Sequence, residues 1–144
     1  MEVKLLTDET AAEPEVTVRC SAVTPEVERL LAMLNMLNRH LAVRKEGAYY
    51  SLSLDQIIYM ESVDRKTFVY TPEEIYESSL RLYELEEQLE GFFRVSKSFL
   101  INLQKIQSLK ADINRRIRVT MQNGEQIMAS RQYADALKKR LGEK

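Results

Sequence analysis

The spacing of apolar residues changes from helical to alternating near Leu41, and that change does most to constrain the fold class. Val27, Leu30, Leu34, Leu37 and Leu41 recur at intervals of three and four, one stripe of an amphipathic helix, which Leu31 and Met33 widen. Thr24 stands ahead of the stripe as an N-cap, with Pro25 at the first helical position. From Leu41 onward the period is two. Leu41–Lys45, Tyr49–Leu52, Ile57–Ser62 and Thr67–Tyr70 are rich in β-branched and aromatic residues, with Gly47 and Asp64–Lys66 as breaks and 74–77 as a possible extension of the sheet. Ser78 or Ser79 then caps a second helix with Leu82, Leu85 and Leu89 as its buried seam and Gly91 as its stop. Phe92–Val95 resumes extended structure. Two further strands, Ile113–Met121 and Glu125–Ala129, flank Asn123-Gly124, a strong hairpin signal, and Ser130 caps a last helix over Arg131–Leu141. Two short strands, Val3–Thr7 and Val16–Cys20, are expected ahead of the first helix. The expectation is therefore a strand-dominated α+β fold with two or three helices.

Much chemistry is excluded by what the chain lacks. Cys20 is the only cysteine and His40 the only histidine, so neither an internal disulfide nor a structural zinc site is expected. His40 reads as a residue near a helix C-terminus and not as a catalytic base. No GxGxxG, GxxxxGK or GxSxG string occurs, so no cofactor, metal or small-molecule substrate is expected, and the chain reads as a non-enzyme. No apolar run reaches the ~20 residues a membrane span needs, and no secretion signal opens the chain; cytoplasmic residence is the expectation.

Net charge is −1, but its distribution is uneven. Residues 1–38 carry −4 and residues 39–91 carry −5, whereas residues 92–144 carry twelve basic against four acidic side chains, a net +8. Such a segment suits a phosphate-backbone contact or, alternatively, a solvated basic face balanced by the acidic middle helix. Within it Ile117, Val119 and Met121 share one face of a strand while Arg116 and Arg118 project from the other.

The string FFRVSKSFLINLQKI (Phe92–Ile106), followed by NGEQIMASRQY (Asn123–Tyr133), resembles the LytTR family of bacterial DNA-binding domains. DQIIYMES (Asp55–Ser62) and LRLYELEEQL (Leu80–Leu89) match the family's first strand block and its middle helix, and the resemblance spans about residues 40–142. It implies a mainly antiparallel β fold in which loops and strand ends, not a recognition helix, enter the grooves of double-stranded DNA. Three places match the family's DNA-contacting positions: Asp64–Thr67, where Arg65, Lys66 and Thr67 are the candidates; Ser96, Lys97 and Ser98, after Arg94; and Ser130 with Arg131. Arg131 at a helix start offers a fork suited to guanine or a phosphate, and Lys97 between two serines suits a phosphate or a base edge. Asn102 is expected to fix a turn, Phe92, Phe93 and Phe99 to be core, and Arg94 to serve either as core bracing or as a contact.

Residues 1–40 form a strand–strand–helix appendage to a DNA-binding domain at 41–144. They are too few for the phospho-receiver that many LytTR proteins carry, so the stand-alone type is expected. Three roles for the appendage are open: a dimer surface, a partner dock, or a flap completing the core. The wide apolar stripe Val27–Leu41 and the small DNA surface of one domain point to a homodimer on repeated half-sites, and the resemblance admits a small regulatory membrane protein as partner. An RNA-binding module or a protein-interaction domain is the alternative; against the former, Glu90-Gly91 ahead of Phe92 is not a basic-Gly pair.

Overall fold

In the computed structural model, which describes residues 1–142, Thr24 accepts the Val27 amide at 3.3 Å on its hydroxyl and Pro25 opens α1 (Pro25–Met36). The helix ends earlier than its apolar stripe. Arg39 takes a positive φ of 57°, and the chain turns directly into β1 (His40–Lys45), so Leu41 is a core residue of a strand and His40 opens that strand instead of closing a helix. The two strands expected at residues 3–7 and 16–20 do not form. Both segments lie without a partner strand, with Val3, Leu5 and Leu6 exposed, because aliphatic and β-branched residues alone create no ladder where no edge is adjacent.

β1 returns through Glu46-Gly47, both at positive φ, into β2 (Ala48–Ser53). β3 (Tyr59–Val63), β4 (Lys66–Tyr70) and β5 (Ile75–Ser78) follow, and α2 (Leu82–Gln88) starts after Arg81, whose amide donates to Glu84 Oε1 at 3.0 Å, rather than from a cap on Ser78 or Ser79. Ser78 is instead the buried end of β5, opposite Thr67. After α2 come β6 (Phe92–Arg94) and β7 (Phe99–Asn102). Together these strands form an antiparallel seven-stranded sheet ordered β2-β1-β5-β4-β3-β7-β6. A separate three-stranded sheet, β10-β9-β8, comprises β8 (Ile106–Ala111), β9 (Ile117–Met121) and β10 (Gln126–Ala129), with α3 (Arg131–Arg140) closing the chain. The Asn123-Gly124 hairpin forms with a three-residue loop: Gly124 alone has positive φ, at 90°, and its amide bonds Met121 O at 2.9 Å.

The large sheet is buried on both faces at its centre. Met60 and Leu100 point into a core roofed by α1 and α2, while the adjacent Tyr59 and Ile101 point into a second core shared with the small sheet and α3. Asn102 sits buried at this junction, donating to Ile57 O at 2.9 Å and accepting the Gln104 amide at 3.1 Å, the turn-fixing role expected for it. Phe92 is buried, and Phe93 and Phe99 pack partly buried against the second core.

Helix α1 is tied to α2 by Arg29, whose guanidinium donates to both carboxylate oxygens of Glu84, one at 2.9 Å. That hydrogen bond holds the Glu84 carboxyl below its ordinary value of 4.5, against the upward push of burial. A depressed folded pKa contributes stability that is complete above the unfolded value and lost as pH falls through the folded one. Glu84→Gln should therefore flatten the loss of stability between about pH 5 and about pH 3, read as urea midpoints across that range.

Candidate nucleic-acid interface

Four turns meet at one end of the two sheets. β3 and β4 are joined by Asp64-Arg65, both at positive φ (50° and 66°), a tight two-residue turn flanked by the Val63–Lys66 pair. The Ser62 amide beside it donates to Ser98 O at 2.8 Å, which places that turn next to the Ser96–Ser98 loop between β6 and β7. Val95, just ahead of that loop, accepts the Ser130 amide at 2.9 Å, bringing the start of α3 alongside. Finally Ala129, Ile117 and Ala111 stand opposite one another across β10, β9 and β8, so the β8–β9 turn emerges at this end too. Residues distant in sequence are thus brought together by three short backbone links.

The side chains expected to touch DNA divide accordingly. Arg65, Lys66, Lys97, Arg118 and Arg131 are exposed on this edge, and Ser96, Ser98 and Ser130 are half-buried beside them. Arg116 is exposed and braced by Asp112 at 3.1 Å. Thr67 is a correction: it is 2 % exposed, paired between Ser62 and Ser78, and presents nothing to a duplex. Alternation along β4 turns it inward. Ser130 needs a second correction, since its hydroxyl makes no capping bond. The helix start is fixed by its main chain, whose carbonyl accepts the Tyr133 and Ala134 amides at 2.9 Å each. Its hydroxyl and the Arg131 and Gln132 amides remain open to an incoming phosphate.

Three cations packed beside α1 are paired with neighbours: Arg29 meets Glu84, Arg44 meets Glu28 and Glu77, and Lys45 meets Glu74. At the edge, among the described residues, Arg65, Lys66, Lys97, Lys110, Arg115, Arg118 and Arg131 meet no carboxylate within salt-bridge distance. Seven cations without partners on one rim form a surface that attracts polyanions.

Arg94 belongs to the scaffold of this edge. Its Nε donates to Ser96 O at 2.8 Å and Nη2 to Lys97 O at 2.7 Å, while Glu86 on α2 holds Nη1 at 3.0 Å. A planar fork is thereby clamped between the acidic helix and the loop that displays Lys97, a geometry an ammonium cannot reproduce. Arg94→Lys should weaken duplex binding about tenfold with a melting point lowered by only a few degrees, measured by anisotropy and calorimetry. Sequence reasoning left Arg94 undecided; its i+2 and i+3 carbonyl partners are visible only once the loop is folded.

Comparisons with known proteins identify the family and the fold. A family model described as the LytTr DNA-binding domain matches residues 47–142. HTH-type transcriptional regulators of Staphylococcus aureus are similar along their whole length: that of strain COL is 25% identical over 144 residues, covering 98% of each chain, and that of strain MRSA252 is 24% identical with the same coverage. No two helices here are joined by a short turn, so a helix-turn-helix is absent from the described residues. Among solved structures, the LytTr DNA-binding domain of a protein described as a methyl-accepting/DNA response regulator from Bacillus cereus superimposes with a TM-score of 0.69 at 26% identity, covering 72% of this chain and 97% of that one. With its antiparallel strands, its three helices and a family match over two thirds of its length, this chain belongs to the LytTR family of DNA-binding domains.

Proposed function

We propose that the protein is a cytoplasmic transcription regulator that reads operator DNA through this edge as a homodimer on repeated half-sites. The row of unpartnered cations across four adjoining turns is the observation that carries the reading. Arg65 and Lys97 stand at the tips of two turns and Arg131 at a helix start, each on rigid main chain, which suits contact with base edges in the grooves. Lys66 and Arg118 project from strands and Arg116 from the end of the β8–β9 turn, and they suit the phosphate track, with the Ser96, Ser98 and Ser130 hydroxyls as additional donors. No helix of the described residues is long and apolar enough to cross a membrane. No small-molecule substrate enters the scheme.

Dimerisation is motivated by the outer face of α1. Ala32 and the half-buried Met36 pack in the first core in cis, but Met33 and Leu37 remain outside at 46 % and 81 % exposure. A second copy is the occupant we assign to them, with a small regulatory membrane protein as the other partner open to this face. Sedimentation of the complex with a duplex carrying two half-sites should give two protomers per duplex. One protomer per two-site duplex at saturation would sink the dimer.

The defining experiment is recovery of bound duplexes from a random pool, followed by competition with single strands and RNA. Enrichment of a common duplex motif supports the reading; equal competition by RNA of the same length would replace it.

A further inference from the structure

The turn between β8 and β9 lies outside the three places where the family resemblance locates DNA contacts, yet it leaves the sheet beside Ser130 and is built unlike an ordinary surface turn. Ile113 at its tip is 99 % exposed, and Asn114 and Arg115 beside it are also exposed. A large aliphatic side chain held wholly in water has no role in this chain's own core. The tip is nevertheless ordered by its own bonds. Asp112 Oδ1 accepts the Asn114 amide at 2.8 Å and the Arg116 amide at 3.0 Å, Arg116 Nε donates to Asp112 Oδ2 at 3.1 Å, and the Asp112 amide bonds Arg116 O at 2.9 Å. Burial pushes the Asp112 carboxyl up, but the two amides and the guanidinium outweigh it and hold the group below its ordinary value. The one acid of the turn is therefore neutralised by Arg116, and the rim stays electropositive. Behind the tip, Lys110 and Arg118 stand opposite each other on adjacent strands and line an open concavity with Ala111, Asp112 and Ile113.

We propose that Ile113–Arg115 is a minor-groove arm. Resting on the reading of the neighbouring turns as the DNA face, the arm enters the minor groove next to the site read by Arg131. Ile113 lies against sugars and base edges as an apolar wedge, and Asn114 and Arg115 reach the acceptors on the groove floor. Lys110 and Arg118 hold the phosphates of the groove walls. The residue types carry the assignment. Minor-groove proteins combine Arg or Asn, which read the acceptor pattern of A·T pairs, with an aliphatic wedge that opens a base step. A narrow hairpin tip also fits a groove about 6 Å wide, where a helix does not.

The test uses duplexes recovered from a random pool by the wild-type protein, with A·T pairs flanking the Arg131-dependent position replaced by G·C or by inosine–cytosine. Inosine lacks the amino group that marks guanine in the minor groove while keeping guanine's major-groove face. Wild type should lose about tenfold in affinity with G·C flanks and recover it with inosine–cytosine flanks. The double variant Ile113→Ala, Arg115→Ala, whose changes are solvent-exposed and should leave the melting point in place, should bind all three duplexes alike and keep its dependence on the Arg131 position. Retention of flank discrimination by that variant overturns the arm, as does wild type binding G·C and A·T flanks equally. A variant whose self-association changes while its DNA binding does not makes the tip a protein contact and also overturns it. Failure of the underlying DNA-face reading is distinguishable, because then no duplex motif is enriched at all.

Discussion

Raising the salt concentration from about 50 to about 200 mM should weaken duplex binding about a thousandfold. Each phosphate neutralised by a cation releases condensed counterions, and the slope of log affinity against log salt approaches −0.9 per phosphate. Lys66, Lys110, Arg116 and Arg118 against phosphates, with the groove-entering Lys97 and Arg115 neutralising the phosphates that flank them, make six, for a slope near −5 and hence about three decades over a fourfold change in salt. The effect is large because these side chains are not already committed. Arg116 alone among them meets a carboxylate, so removal of the others forfeits no internal pair. Arg118→Ala should therefore weaken all sequences alike and lower the slope by about one. Anisotropy titrations across the salt series measure both quantities, and a flat response would remove the backbone-contact reading.

Arg131→Ala should cost ~1–3 kcal/mol on the preferred operator and flatten preference at one base pair. Arg131 is the first residue of α3, exposed and without an ion-pair partner among the described residues. What orients it is the main chain at Ser130, pinned to Val95 on one side and to the first turn of the helix on the other. A fork presented from rigid main chain can hold one bidentate geometry, whereas Arg116 at the end of a turn and the strand-borne Arg118 have no such reason to select a base. A panel of single-base operator variants titrated with each mutant separates the roles. If Arg131→Ala weakens every variant by the same factor, Arg131 is a phosphate clamp.

Local chemistry was legible residue by residue. Thr24-Pro25 announced the start of α1, alternation placed Ile117, Val119 and Met121 inward with Arg116 and Arg118 outward, and Asn102 declared a turn. Where alternation fails, so did the reading. Phe99–Ile101 forms a central strand buried on both faces, so its apolar residues run consecutively and carry no period. β8 is an edge strand with mostly exposed residues, and nothing in Ile106–Ala111 marks it until β9 supplies a partner. Conversely, residues 3–7 are rich in aliphatics and residues 16–20 begin with alternation, yet neither segment pairs with a strand.

The sequence by itself determined the fold class, the family and the sign of charge on the C-terminal third, because each is written in short-range spacing and composition. Tertiary structure alone decided which of those charges act together. Thr67 and Lys66 are neighbours in the chain, yet the pleat buries one and exposes the other. Arg65, Lys97, Arg115 and Arg131 are far apart in the chain, yet backbone hydrogen bonds between Ser62 and Ser98, and between Ser130 and Val95, with the register of the small sheet, set their turns on one rim. Long-range strand pairing is a property of register between segments distant in the chain, and no window of local sequence contains it.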